Sequence, residues 1–323
     1  MRDDGPNLRG RMVFGMVAVM QEEHVDKTRE QVRARLAAWW EANARDLPWR
    51  FGRTTPWGVL VSEVMSQQTQ MSRVVPYWTD WMRTWPDAAA LAKASTAEVI
   101  TAWGRLGYPR RALRLQECAR VVADQYGNAL PDDHDTLLSL PGIGDYTASA
   151  VSSFAFGRRV AVIDTNIRRV LSRVLLGVES RGGSATRAER DLANDALPDD
   201  TAKSVIWNQS VMELGAVVCT AKKPMCEVCP VSTCCAFLAA GRPGLGERRT
   251  RPRQRFQGTD RQVRGIVLNA LRRRHDGGLT AGLPRAEAES LWPDQGQLAA
   301  CIASLDDDGL IEINKDGSLS LPR

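Results

Sequence analysis

The chain has 323 residues, 43% of them hydrophobic and 25% charged, with a formal net charge of +5. A chain of this length buries a real core and points to two domains. The charge is compatible with a polyanionic partner and equally with an ordinary soluble protein, so it selects neither. The apolar run Met12 to Met20 is too short and too weakly flanked for a membrane span or a signal peptide.

In chain order, residues 1–27 read as a disordered tail. From Thr28 the apolar set Val32, Leu36 and Trp39 or Trp40 marks an amphipathic helix. Further helices are expected at 86–103, 111–126, 145–156, 166–176, 187–196 and 202–215, and strand signals are sparse before Gly241. Residues 241–257 form a linker made flexible and basic by Arg242, Arg248, Arg249, Arg251, Arg253 and Arg255 among glycines and prolines. The remaining residues, 258–323, read as helices at 260–274, 285–292 and 295–307. Strands at 310–313 and 318–321 follow around an Asp316-Gly317 turn, giving a small α+β, winged-helix-like module.

Three local patterns carry chemistry. Cys219, Cys226, Cys229 and Cys235 stand in the order C-x6-C-x2-C-x5-C, a loop short enough to wrap a 4Fe-4S cluster with one sulfur on each iron. Zinc is the alternative, although its knuckles usually hold two C-x2-C pairs well apart. Cys234 abuts Cys235 and competes with it as fourth ligand; Cys235 is preferred. The second pattern is Leu140-Pro141-Gly142-Ile143-Gly144-Asp145-Tyr146-Thr147-Ala148. Its glycines allow a tight turn whose N–H groups, with the following helix start, form an anion site. In the third, Asp164 precedes a helical pattern and suits an N-cap, and a carboxylate held by helix N–H groups is expected to stay ionised at neutral pH.

Together these patterns resemble the endonuclease III and MutY branch of the helix-hairpin-helix DNA glycosylases. The stretch from Trp57 to Gln70 closely resembles the MutY segment that carries a catalytic glutamate, here Glu63. Val59 and Leu60 lie one helical turn before it, so burial among apolar neighbours is expected to raise its pKa and keep it a proton donor. The resemblance implies a mainly α fold of two helical lobes. One is a six-helix barrel over about 55–156; the other is a cluster lobe from 28–54 and 157–240, with substrate in the cleft between them.

The resemblance also assigns roles. Asp164, with Asn166 beside it, stabilises a cationic sugar. Tyr146 stands where bifunctional lyases carry a lysine, so no amine is available for a Schiff base and the chemistry is hydrolysis without strong strand cleavage. Trp49 and Arg50, in Leu47-Pro48-Trp49-Arg50, line an adenine pocket. Glu213 hydrogen-bonds the base, and Ser66, where leucine is usual, adds a hydroxyl to the pocket. Gln68, about 140° round the helix from Glu63, and Tyr108 wedge into the duplex. Trp49, Tyr108 and Glu213 also have plain structural readings. Gly142, Gly144, Lys222 and Lys223 face the DNA backbone, and Arg168, Arg169, Arg110, Arg111 and Arg114 fall in the same motif loops.

The implied protein is a monomeric cytoplasmic, nucleoid-associated enzyme that removes adenine opposite 8-oxoguanine or guanine in double-stranded DNA. It would be a short form, of the actinobacterial type, without the Nudix-like domain that longer members use to inspect 8-oxoguanine. A mismatch thymine or uracil glycosylase on the same scaffold is the nearer alternative, though a thymine leaving group does not need the acid Glu63. A non-catalytic iron–sulfur DNA sensor is the alternative of another class, and it would not need both carboxylates.

Overall fold

The computed structural model describes residues 8–180, 182–247, 256–279 and 281–323, with residues 8–25 as backbone only. Fifteen α-helices and a two-stranded hairpin lie among them. They fall into two compact units, Met1–Arg45 with Gly157–Arg249, and Asp46–Phe156 with Thr250–Arg323. No described helix is long and apolar enough to cross a membrane.

In the first unit, α1 (Leu8–Asn43) buries the expected Val32, Leu36 and Trp40. The helix begins well before Thr28, so the part of the expected tail from 8 to 27 is helical; residues 1–7 lie outside the described residues. From Arg11 to Asn43 the sequence has one glycine and no proline, so nothing local stops the helix from extending. The unit continues with α9 (Thr165–Leu176), α10 (Arg187–Ala196) and α11 (Thr201–Val217), then the cysteine loop and the short α12 (Ala236–Ala239). Helix α9 packs on α11 and α12, and α1 packs on α11.

The second unit is built round α2 (Pro56–Ser66), which is buried on every side from Trp57 to Met65. A helix apolar all round belongs in the middle of a bundle. Around it stand α3 (Met71–Thr84), α4 (Ala88–Lys93), α5 (Thr96–Trp103), α6 (Arg110–Gln125), α7 (His134–Ser139) and α8 (Asp145–Phe154). Their core joins Leu47 and Trp49 to Trp78, Trp81 and Trp103. That burial draws the chain into the barrel at Asp46, nine residues before the boundary expected from the motifs. Helix α3 escaped sequence reading because Pro76 interrupts it, a residue that removes a ladder donor. Burial of Val74, Trp78 and Trp81 along one face overrides that penalty. The single helix expected at 86–103 is two, since Ser95 forms a capping box with Glu98 and starts α5 afresh.

The C-terminal residues form α13 (Asp260–Asp276), α14 (Arg285–Glu289) and α15 (Gln295–Asp307). Strands β1 (Glu312–Ile313) and β2 (Leu319–Ser320) pair antiparallel, and Leu283 bridges Leu319. These elements follow the expected order closely, but the module does not stand apart on a flexible tether. Ile100 of α5 is fully buried in one cluster with Val263, Val267, Leu271 and Leu305, and Arg272 Nε donates to the Ile100 carbonyl at 3.0 Å. Of the linker, residues 248–255, which carry five of its arginines, lie outside the described residues.

Ile100→Ala is therefore expected to cost about 2–5 kcal/mol, as for other buried aliphatic truncations. Urea denaturation measures this, and limited proteolysis should release the C-terminal residues earlier than in the wild type.

Candidate active site

Helix α2 starts where Thr55 accepts from the Gly58 N–H at 3.3 Å with Pro56 in the first turn. This fixes the rotation of the helix and turns Glu63 inward, where it is only 8% exposed. Val59 and Leu60 are buried one turn before it, as expected. Its Oε2 accepts a 2.7 Å hydrogen bond from the Tyr146 hydroxyl. Tyr146 is the second residue of α8, directly after the glycine turn, so the hairpin and the buried carboxyl belong to one assembly.

In the hairpin, Ile143 N–H donates to Leu140 O at 3.1 Å and closes the turn. Gly142 has φ +76°, and a Cβ there would stand 2.7 Å from the Cβ of Arg114. Only glycine fits at that position. Gly144 differs: it is extended at the N-cap of α8, and a Cβ would meet nothing within 4 Å. Both glycines are exposed, as a phosphate contact requires.

Helix α2 ends at Ser66, so the helical angle expected between Glu63 and Gln68 does not apply. Gln68 instead sits in the following turn at φ +54°, and Tyr108 sits at φ +47°. Both are exposed, and side chains larger than glycine pay roughly 1–2 kcal/mol for that backbone region. Such strain at two exposed polar or aromatic tips marks positions held for a purpose. What holds them is Arg111, which donates to the carbonyls of Val64 at 2.6 Å, Gln67 at 2.8 Å and Gly107 at 3.1 Å. Its guanidinium also lies over the rings of Trp103 and Tyr108. Burial lowers its pKa to about 10, still charged at neutral pH.

Several basic residues expected on phosphates are thus committed elsewhere. Arg111 clamps two loops. Arg168 is buried on Glu189, with hydrogen bonds of 2.7 and 2.8 Å. Arg169 donates to Gly215 O at 2.6 Å and Cys219 O at 2.8 Å. Arg110 pairs with Asp308 and Arg114 with Glu117. Lys222 and Lys223 are exposed as expected.

Ser66 does not offer its hydroxyl outward. The Oγ donates back to Ser62 O at 2.6 Å, the common way for a serine to satisfy itself within a helix. Trp49 is buried against Trp78 with ring centroids 5.4 Å apart. Arg50 is half-buried in the turn that its N–H closes onto Leu47 O at 3.0 Å.

In the other unit, Asp164 caps α9: its Oδ1 accepts from Ile167 N–H at 2.6 Å and its Oδ2 from Asn166 Nδ2 at 2.9 Å. Arg169 returns to Asn166 Oδ1 at 2.8 Å, and Asn208 bonds Val160 O and Val162 N–H, fixing the approach to the cap. The expected downward pull of the helix N–H groups does not prevail. Burial pushes the Asp164 carboxyl above the usual carboxylate range, against Ile167 N–H, Asn166 and the Arg169 charge. Glu213 is fully buried, and both its oxygens accept from Arg45, with Nη2 to Oε2 at 2.8 Å. Arg45 escaped sequence reading because an isolated arginine after a helix carries no local signal.

Cys219, Cys226, Cys229 and Cys235 line one cavity with Arg173, Met225 and Phe237. Cys234 does not line it; its Sγ faces Val231 O at 3.4 Å. Among the described residues no His, Cys, Asp or Glu group is gathered as a single-ion site. Four cysteine sulfurs round one space are a donor set suited to a metal centre. Burial pushes the Cys229 thiol up to about 12. Arg173, itself buried, reaches Cys219 Sγ at 3.4 Å, Thr220 O at 2.9 Å and Ala221 O at 3.0 Å. Its spacing from Asn166 and Arg169, three and then four residues along α9, is a helical-face signal that sequence reading could have used.

A family model described as an HhH-GPD superfamily base excision DNA repair protein matches residues 61–193, which include Glu63, the hairpin and Asp164. The adenine DNA glycosylase of Mycolicibacterium smegmatis is 46% identical over 288 residues, covering 88% of this chain and 94% of that one. That of Mycobacterium tuberculosis is 43% identical over 311 residues, covering 95% and 99%. The chain belongs to the adenine DNA glycosylase family of helix-hairpin-helix base excision repair proteins. The human adenine DNA glycosylase is 42% identical over 212 residues, 63% of this chain and 38% of that protein. Among solved structures, a thermostable thymine-DNA glycosylase has a TM-score of 0.60 at 28% identity, covering 67% of this chain and 98% of that one. A trapped endonuclease III–DNA intermediate, at 23% identity and a TM-score of 0.55, covers 66% and 98% and shares the fold.

The raised Asp164 pKa has a thermodynamic sign. Above its folded-state value the ionised side chain opposes folding, and that opposition is absent below the unfolded value of 3.8. Asparagine keeps the cap without the charge. Asp164→Asn is therefore expected to melt at or above the wild-type temperature at pH 7.5, with the advantage vanishing towards pH 4. Calorimetry across that range checks it; a variant less stable at pH 7.5 would contradict it.

Proposed function

We propose that the chain hydrolyses the N-glycosidic bond of adenine opposite guanine or 8-oxoguanine in duplex DNA, as a monomer and without strong strand cleavage. The hydrogen bond from Tyr146 to the buried Glu63 is the observation that supports this most directly. As a neutral acid, Glu63 gives its proton to an adenine ring nitrogen, N7 by family resemblance. Protonation makes adenine a neutral leaving group; the C1′–N9 bond breaks and both bonding electrons leave with the base. Asp164 then faces a cationic sugar. A carboxyl that burial has pushed up gains most from a positive charge present only in the transition state, which is the condition for rate acceleration. Water adds to C1′ and its proton returns to a carboxylate. Tyr146 supplies no amine, so the sugar is not captured as a Schiff base.

Gln68 and Tyr108 fill the gap left when adenine is rotated out of the stack, which fits their exposed, strained tips. Trp49, Arg50 and Ser66 shape the base pocket, and Glu213, held by Arg45, contacts the base. Gly142, Gly144, Lys222 and Lys223 contact phosphates. Cys219, Cys226, Cys229 and Cys235 hold a 4Fe-4S cluster, which when bound cross-links the lysine-bearing loop. The likeness to a thymine-DNA glycosylase keeps pyrimidine removal as a second reading. The acid at Glu63 disfavours it, because thymine needs no protonation there.

Glu63→Gln is expected to retain DNA affinity and lose roughly 10²–10⁴-fold in single-turnover excision, the range of a general acid. Asp164→Asn should also stop excision, and Tyr146→Lys should add some strand cleavage without alkali. Near-normal excision by Glu63→Gln would remove Glu63 from the chemistry.

Anaerobically purified protein is expected to carry about four irons per chain. Cys235→Ser should lose iron and visible absorbance while Cys234→Ser keeps both. Zinc without iron, or equal losses in the two variants, would contradict the assignment.

A further inference from the structure

Where the C-terminal module meets the barrel, a groove of about 1190 Å³ runs between the Tyr108 loop, the hairpin at Gly142 and the first half of α13. Among the described residues, seven arginines line it and a single acid, Asp308. Five of the seven are committed: Arg111 and Arg272 cap carbonyls, Arg110 and Arg264 share Asp308, and Arg114 pairs with Glu117. Arg105 and Arg261 are exposed and form no ion pair among the described residues. Arg261 lies 5.7 Å from the centre of the Tyr108 ring, as does Arg111, so the ring is held by one guanidinium from the barrel and one from the module.

Gly265 is an independent signal. It lies in the interior of α13, where glycine costs about 1 kcal/mol relative to alanine. Packing does not call for it, since a Cβ there would meet nothing within 4 Å, and it lines the groove. A bare stretch of helix facing an arginine-lined channel leaves room for a bulky anionic chain to approach closely.

We propose that this groove is a second DNA-contact surface, which takes the sugar–phosphate backbone beside the Tyr108 loop. Arg105 and Arg261 contact phosphates, and Gly265 admits the chain. The proposal rests on the reading of the protein as a DNA glycosylase. The backbone is preferred to a base because the available groups are spread along the channel as separate charges.

The test is affinity as a function of salt for three duplexes: one fully paired, and two carrying non-cleavable 2′-fluoro-deoxyadenosine opposite guanine or 8-oxoguanine. Gly265→Glu, which favours helix, should weaken all three by the same factor, on the order of tenfold at 0.1 M salt. It should also flatten the salt slope by about 1, the value of one lost phosphate contact. Arg261→Gln should act in the same direction. Lys315→Gln, an exposed charge change in the hairpin turn, is the control. Loss confined to the 8-oxoguanine duplex, or no loss beyond the control in both groove variants, would overturn the proposal. Excision of ordinary adenine by the wild type is scored separately, so failure of the proposed function would be distinguishable from failure of the groove.

Discussion

The barrel's working end depends on one buried guanidinium. A helix leaves its last carbonyls without partners, and when the chain must then turn sharply those carbonyls have no helix to return to. Arg111 collects them: Val64 and Gln67 O from the end of α2, and Gly107 O from the loop before α6. The end of the glutamate helix, the strained Gln68 and the strained Tyr108 are thereby tied to a single side chain. Lysine could not replace it, since a single ammonium lacks the planar fork needed to reach both loops at once.

A comparable logic orders the other unit along α9. Asp164 caps the helix, Asn166 steadies the cap, Arg169 braces Asn166 against Gly215 O and Cys219 O, and Arg173 reaches the cysteine loop. Gly215 belongs to the same arrangement, since a Cβ there would stand 2.7 Å from that of Asn166. Thus the carboxyl and the arginine that reaches the cysteine loop lie about two and a half turns apart on one helix, joined by buried charge–carbonyl contacts that are strong because water is excluded. Three polar side chains on one buried face would be costly alone. Arg169 satisfies Asn166, and Arg169 and Arg173 are satisfied by carbonyls of the cysteine loop.

Much of this was legible in the sequence because it is local. The helix at 187–196, the hairpin, the cap at Asp164 and the cysteine spacing are set by residues a few positions apart. The Tyr146–Glu63 contact spans 83 positions and was not legible: the resemblance named both residues but not the hydrogen bond between them. The roles of the arginines were not legible. Arg111, Arg168 and Arg169 read as a basic surface because a guanidinium looks the same in sequence whether it meets a phosphate or a carbonyl. Ser66 misled for a similar reason: its hydroxyl has a partner on its own helix that no pattern announces. The docking of the C-terminal module was hidden too, because Ile100 looks like any other helix isoleucine until Val263 and Leu305 are found against it.

Several of the structure's costs fall where the proposed chemistry is. Gln68 and Tyr108 adopt left-handed backbone without being glycine, Asp164 is held where burial opposes its charge, and Gly265 weakens a helix without a packing need. Each departs from what stability alone would select, and a marginally stable protein tolerates few such departures. The tryptophan-rich barrel core and the shared cluster under α13 supply the compensating burial. The pattern bears on the module as well. Gly265 lies on α13, outside the hairpin assembly, so destabilising choices extend beyond the residues that would touch adenine. A module that only filled out the core would have no reason to keep glycine there, and that gives α13 a part in recognition rather than in folding alone.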